Sequence, residues 1–231
     1  FEKDFYKQYG IEVDFEGHPI LDAIAPALEK NETKTDFCLR CQLDEKPIIA
    51  ILPGSRKQEL TKLLRIMTSV ARVFKEYNFV VAGISSLPKE LYDEASKIDN
   101  VSVVFDDTYA LLKHAEAAIV KSGTSTLETA LFNVPEVVCY KTNGLTFAIG
   151  KRLVKVKYVS LVNLILGKEA IKELLQNDLN YKNLKTELSK ILHPEYRETV
   201  LEDYKKFRSL MGEKGASDRI AAKMVQYLQQ V

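Results

Sequence analysis

Histidine, cysteine, long apolar runs and charge of one sign are all scarce in this 231-residue chain, and each shortage excludes a class of chemistry. The three histidines, His18, His114 and His193, are scattered. No Ser-His-Asp, paired-carboxylate or metal-ligand constellation forms around them. His114 and His193 sit in helical contexts and read as surface or packing residues. His18, in the turn Gly17-His18-Pro19, is either a turn residue or a ligand. The three cysteines are a CxxC pair, Cys38 and Cys41, and a lone Cys139. A structural zinc needs four ligands, and no second CxxC or HxxxH exists. A redox CxxC normally opens a helix after a strand, whereas this pair lies inside a helix predicted over 31–43. Small packing residues are the favoured reading. The odd cysteine count fits a reducing cytoplasm. The longest apolar runs, such as 79–84 and 158–166, fall far short of the ~20 residues of a membrane span, so a soluble chain is expected. Basic and acidic residues number 33 and 32, a net of +1, which gives no global electrostatic reason to expect nucleic acid. Position 1 is Phe, and residues 1–10 lack the basic flank, apolar core and cleavage site of a signal peptide. A piece of a longer reading frame is therefore expected.

What the chain does contain is an alternation of buried strands and helices. Residues 1–30 read as a short helix, an extended stretch, the Gly17-His18-Pro19 turn and a second helix. Ile48-Ile49-Ala50-Ile51-Leu52 is a continuous apolar run, as in a strand covered on both faces. A long helix is predicted over 57–77, with Leu60, Leu63, Leu64, Met67, Val70, Val73 and Phe74 on one stripe. Strands over 79–82, 101–105, 117–120 and 137–140 alternate with helices over 88–97, 109–114 and 126–132. Such alternation predicts an α/β fold with a Rossmann-like, doubly wound parallel sheet. After residue 141 the rhythm is expected to stop. A basic amphipathic helix over 147–154 and a short apolar segment over 159–166 come next, and helices over 181–192, 195–211 and 216–230 form a helical C-terminal tail. The segments expected are thus a lead-in over 1–45, the Rossmann-like domain over 46–175 and the tail over 176–231. Phe147, Ile149, Leu153, Val154 and Val156 alternate with Lys151, Arg152, Lys155 and Lys157. That stretch either lies on an anionic membrane surface or packs its apolar side on the sheet.

Three motifs carry candidate chemistry. Leu52-Pro53-Gly54-Ser55-Arg56 joins the first strand to its long helix. Gly54 admits a close backbone approach, the helix start offers free N–H groups to a phosphate, and Arg56 adds a fork of donors. The alternative is a tight turn capped by Ser55. The loop is neither a Walker loop, since no GK[ST] follows, nor a GxGxxG turn. Lys121-Ser122-Gly123-Thr124-Ser125-Thr126-Leu127-Glu128 follows the fourth strand, where strand order usually reverses and two helix starts flank one crevice. Ser122, Gly123 and Thr124 would offer hydroxyls and N–H groups. Glu128 either closes a capping box with Ser125 or accepts bonds from ribose hydroxyls. The third motif sets Asn163, Glu173 and Gln176 among apolar neighbours. Each needs a partner, from backbone or ligand, and the spacing of Glu173 and Gln176 suits one helical face.

Taken in order, Phe1-Glu2-Lys3-Asp4-Phe5-Tyr6, Gly17-His18-Pro19, the 52–56 and 122–128 motifs, Tyr140-Lys141, Lys151-Arg152-Leu153-Val154-Lys155, Tyr158-Val159-Ser160-Leu161, Asn163-Leu164 and Glu173-Leu174-Leu175-Gln176 resemble the lipid-A-disaccharide synthase family. No single motif decides this; the ordered set, running to about residue 180, does. The resemblance implies one half of a GT-B glycosyltransferase, with the donor bound mainly by this half. It implies transfer of 2,3-diacylglucosamine from UDP-2,3-diacylglucosamine to 2,3-diacylglucosamine 1-phosphate, a lipid acceptor, with release of UDP. It implies no metal and no cofactor, a place at the cytoplasmic face of the inner membrane, and room for a homodimer. Gly54, Ser55, Arg56, Ser122, Gly123, Thr124 and Glu128 would hold the UDP, with Arg56 stabilising charge in catalysis. Asn163, Glu173 and Gln176 would line the donor side of the cleft. The general base would lie in a first domain outside this chain. Val162 stands where the family often has Pro, and Phe105-Asp106-Asp107-Thr108 matches the uracil region only loosely. The rival readings are another GT-B enzyme, a UDP-sugar epimerase, or a nucleotide-binding module without activity.

Overall fold

The computed structural model describes residues 2–142 and 157–229. The helix expected over 147–154 falls outside the described residues. Five strands lie where the apolar runs predict: β1 (Ile48–Leu52), β2 (Asn78–Gly83), β3 (Val101–Phe105), β4 (Ala115–Lys121) and β5 (Glu136–Tyr140). A sixth, β6 (Lys172–Leu175), corrects the expected helical pairing of Glu173 with Gln176. These residues pair parallel to β5, with Val138 opposite Glu173 and Tyr140 opposite Leu175. Four residues are too few for the helix and strand periods to be told apart. Gln176 then ends the strand with φ at +49°, in the left-handed region.

The sheet order is β3-β2-β1-β4-β5-β6, and every pairing is parallel. The chain runs outward from β1 to β3, then returns to lay β4 against the other side of β1. That reversal is the topological switch point, where the crossovers on the two sides diverge and leave a crevice at the carboxyl ends of the strands.

The helices are α1 (Glu2–Lys7), α2 (Ile20–Glu29), α3 (Lys34–Arg40), α4 (Lys57–Thr68), α5 (Asp93–Ser96), α6 (Thr108–His114), α7 (Thr124–Leu131), α8 (Leu161–Leu166), α9 (Tyr181–Leu192), α10 (Pro194–Leu210) and α11 (Ala216–Gln229). Alternate strand residues face opposite layers. Ile49, Ile51, Phe79, Val81, Ile119 and Val137 pack with Leu60, Leu63 and Met67 of α4 and Leu184, Leu188 and Ile191 of α9. Ile48, Ala50, Leu52, Val80 and Val120 pack on the other face with Phe37 and Cys38 of α3 and Leu111 of α6. Val138 joins a third cluster with Ile24, Leu127, Val162, Tyr204 and Phe207. Each fully buried aliphatic or Phe side chain contributes about 1.5–3 kcal/mol, so these layers hold the sheet.

Lead-in residues Ile24 and Phe37 and tail residues Leu184 and Phe207 all sit at 0% exposure in cores shared with the sheet. The helix predicted over 57–77 also stops early, at Thr68, and a 3-10 turn follows at Ala71–Val73. The side-chain amide of Asn100 donates to the carbonyls of Ala71, Phe74 and Tyr77, which rewards an irregular path there. The helix predicted over 88–97 is a 3-10 turn, Lys89–Tyr92, followed by the single turn of α5. The helix predicted over 31–43 shrinks to α3, opened by a reciprocal capping box between Thr33 and Asp36. Cys38 is buried and Cys41 half-buried on it, both as free thiols.

Candidate functional site

A cleft of about 680 Å³ opens at the carboxyl ends of β1 to β4. Its lining includes Gly54, Ser55, Arg56, Gly123, Thr124 and Glu128, so the switch point brings the first two sequence motifs together. α4 and α7 both start on this cleft, and neither has a side-chain cap. α3, α8 and α9 are capped by Thr33, Ser160 and Asn180, whereas α2, α6 and α10 also lack a side-chain cap, and the start of α6 lines the same cleft at Asp107 and Thr108. An uncapped helix start presents N–H groups without intrahelical partners, together with the positive end of the helix dipole. Two such starts facing one cleft make a ready place for an anionic group.

Gly54 has φ at +104°, and a Cβ there would meet Glu59, with its Cβ 3.1 Å away. Glycine is therefore required both by conformation and by space. Ser55 does not cap α4; Arg56 occupies the N-cap position with extended backbone. The Arg56 side chain is 82% exposed and only loosely paired, 3.8 Å from Glu59. Gly83 ends β2 in the cleft wall, where a Cβ would come within 2.8 Å of Val103 and Phe105.

The capping box considered between Ser125 and Glu128 is absent, because α7 begins two residues earlier than that box requires, with Gly123 as its N-cap. Glu128 instead accepts a hydrogen bond of 2.8 Å from the Tyr109 hydroxyl. Tyr109 stacks on Phe132, with ring centroids 5.7 Å apart. Burial and the adjacent carboxylate both push the Tyr109 phenol up, so it stays a donor. Nothing in the sequence singled out Tyr109, since an aromatic in an amphipathic helix reads as packing.

Asp106 and Asp107 close the far wall at the end of β3. Asp106, at φ +56°, accepts from the Ser85 N–H at 3.1 Å, and hydrogen bonds from Ser85 hold its carboxyl below the ordinary range. Arg40 reaches Asp107 at 2.6 Å and Glu32 at 2.9 Å, tying two lining carboxylates to one guanidinium. Lys121 spans to Glu59 at 3.0 Å. Lys121 opens the second sequence motif without a role assigned to it there, and Glu59 is not singled out by the sequence.

The remaining candidates, Ser122, Asn163, Glu173 and Gln176, are not among the residues lining the cleft. The Ser122 hydroxyl is directed away, donating to the Val159 carbonyl at 3.0 Å. Asn163 is fully buried and answers its need for partners from within the protein. Its amide donates to the Ile171 carbonyl at 2.8 Å and to Glu173 at 2.9 Å, while its oxygen accepts from Ala170 and Ile171 at 2.8 and 3.0 Å. Glu173 accepts the N–H groups of Val159 and Ser160 at 2.8 and 2.9 Å. Gln176 accepts from the Thr142 N–H at 3.3 Å, and among the described residues its buried amide nitrogen has no partner. Asn163 and Glu173 thus tie the segment after 157 to β6, Ser122 ties it to the end of β4, and Gln176 ties Thr142 to the end of β6. His18 is also outside the lining; its Nδ1 accepts from the Ile20 N–H at 3.1 Å. Among the described residues, no group of three or more His, Cys, Asp or Glu could hold a metal ion, and no helix is long and apolar enough to cross a membrane.

Sheet order and cleft position define a Rossmann-like α/β unit of the kind found in nucleotide-sugar epimerases and GT-B glycosyltransferases. The UDP-GlcNAc 2-epimerase from Neisseria meningitidis bound to UDP-GlcNAc superimposes with a TM-score of 0.66 at 18% identity, over 97% of this chain and 59% of its own. CalG4, the calicheamicin glycosyltransferase, gives 0.55 at 16%, over 79% and 44%. At those identities the likeness is one of fold. The chain belongs to the lipid-A-disaccharide synthetase family, whose model matches residues 1–225. The lipid-A-disaccharide synthase of Syntrophus aciditrophicus (strain SB) is 36% identical over 229 residues, 96% of this chain and 59% of that protein. That of Persephonella marina (strain DSM 14350 / EX-H1) is 36% identical over 236 residues, 96% and 61%. The chain thus spans between 59% and 61% of the length of these curated relatives.

Proposed function

We propose that this chain is the donor-binding part of a lipid-A-disaccharide synthase. The observation that carries the reading is the pair of uncapped helix starts facing one cleft at the switch point, in a member of this family. In this reading the diphosphate of a UDP-sugar lies between the Gly54-Ser55-Arg56 turn and the Gly123-Thr124 turn. Arg56 turns in from solvent to meet charge on the departing UDP. Glu128, oriented by Tyr109, accepts bonds from the ribose hydroxyls. Ser122, Asn163, Glu173 and Gln176 support the floor from behind. The whole protein would transfer 2,3-diacylglucosamine from its UDP donor to 2,3-diacylglucosamine 1-phosphate. Acceptor and general base would be supplied by the part of the family-length protein outside this chain. Work at an anionic inner-membrane surface, and self-association as a homodimer, belong to the same reading.

Calorimetric titration of the chain with UDP, NAD and ATP tests it. UDP should bind more tightly than either, because the cleft has neither a GxGxxG turn nor a Walker lysine. Equal or stronger binding of NAD would reject the reading.

A further inference from the structure

Glu59 is a lining carboxylate that touches both turns, through Gly54 and through Lys121. It stands in the first turn of α4, its side chain 19% exposed, against the face of Gly54 that a Cβ would fill. Its Oε1 lies 3.0 Å from Lys121 Nζ and 3.8 Å from Arg56 Nη1. Lys121 ends β4, its side chain is 22% exposed, and its Nζ is 3.5 Å from where a Gly123 Cβ would stand. Both charged groups thus occupy the gap between the helix starts. Lys121 is far better enclosed than Arg56, whose side chain is 82% exposed.

Two helix N-termini and two cations around one gap concentrate positive charge, and a carboxylate there relieves it. A dianionic ligand arriving in the same gap would meet Glu59 as a like charge at close range, only partly screened at this exposure. We propose that Glu59 is an internal stand-in for the ligand's diphosphate, and that Lys121 is the cation that exchanges the Glu59 carboxylate for that diphosphate when nucleotide binds. This rests on the reading of the cleft as a nucleoside-diphosphate site. Glu59 then sets affinity downward and speeds release of the diphosphate product, while Lys121 gives selectivity for phosphate over the bare nucleoside.

The test compares UDP, UMP and uridine binding to the full 231-residue chain as wild type, Lys121→Met, Lys121→Arg and Glu59→Gln, with circular dichroism and urea melts as fold controls. Lys121→Met should weaken UDP about tenfold or more, as expected on losing a charge-assisted contact, and leave uridine within about twofold. Lys121→Arg should restore most of the UDP affinity. Glu59→Gln, nearly isosteric and neutral, should tighten UDP by about threefold or more and leave uridine unchanged, since only the like charge has gone. A purely structural pair would shift the urea midpoint and move UDP and uridine together. Unchanged UDP binding in Lys121→Met, parallel losses of UDP and uridine, or weaker UDP binding in Glu59→Gln would each overturn the exchange. If wild type binds neither UDP nor uridine, the nucleotide reading itself falls; if wild type binds UDP and Lys121→Met binds it equally, only the exchange falls.

Discussion

Replacing Asn163 by Ala separates a supporting role for this residue from a ligand-binding one. The side chain is at 0% exposure and makes four hydrogen bonds, to Ile171 (as donor and as acceptor), Ala170 and Glu173. Each bond is worth about 1 kcal/mol net, and truncation leaves buried backbone groups and one lobe of the Glu173 carboxylate without partners. Water entering the vacated space recovers part of that loss, so the expected destabilisation is about 3–5 kcal/mol. Domains of this kind hold about 5–15 kcal/mol in all, so the variant should fold but melt at a much lower urea concentration. Because Asn163 does not line the cleft, UDP affinity measured where the variant is fully folded should stay within about twofold of wild type. Asn163→Asp should be damaging too, since it turns the donor toward Glu173 into a second carboxylate oxygen at 2.9 Å. A variant as stable as wild type that loses UDP binding would refute the reasoning and make Asn163 a ligand-contacting residue.

Glu136 begins β5 at 0% exposure, where among the described residues its side chain has one hydrogen-bond partner, the Tyr204 hydroxyl at 3.4 Å, and burial pushes its carboxyl well above the ordinary 4.5. The folded chain keeps this proton while the unfolded chain loses it above about pH 4.5, so the group costs stability as pH rises, by about 1.4 kcal/mol per pH unit until the folded pKa is reached. Glu136→Gln should remove that slope, and the stability gap between variant and wild type should widen as pH rises above about 4.5 in urea melts; parallel curves would contradict it. Gly54→Ala combines a Cβ at φ +104° with a clash against Glu59; it should cost about 1–3 kcal/mol of stability and reduce UDP binding, and a neutral result in both assays would show that the turn tolerates a side chain. The purified chain should form no disaccharide from donor and acceptor lipids, because the proposed acceptor site and base lie outside it; measurable product would overturn that division of labour.

Much of the fold is legible in the sequence, because buried parallel strands write themselves as continuous apolar runs. Ile48-Ile49-Ala50-Ile51-Leu52 could hardly be anything else, and β2 to β5 follow with correct order and spacing. β6 was missed because its edge position leaves only Leu174 deeply buried, and four residues carry no usable period. The long helix after β1 was overextended because the apolar stripe continues through Val70 and Phe74, while its interruption depends on Asn100, a distant residue whose amide captures three carbonyls. At the site, the Gly54 and Gly123 turns were legible, since a strand followed by glycine and a helix has one common use. The direction of a polar side chain was not. Ser122 stands beside Gly123 yet is directed away from the cleft, and Asn163 and Glu173 satisfy one another. Glu59 and Tyr109 give no signal in the sequence, and Lys121 none beyond opening the second motif, because the contacts they make cross elements that sequence spacing cannot relate.

The most direct test of the central claim is the location of UDP on this chain, by crystallography of the complex or by backbone amide shifts during titration. The account predicts diphosphate oxygens within about 3 Å of the N–H groups of the 54–56 and 123–125 turns, with Lys121 Nζ moved off Glu59 and the ribose beside Glu128. UDP bound away from both helix starts, or against Asn163 and Glu173 with the 54–56 and 123–125 amides unmoved, would contradict it.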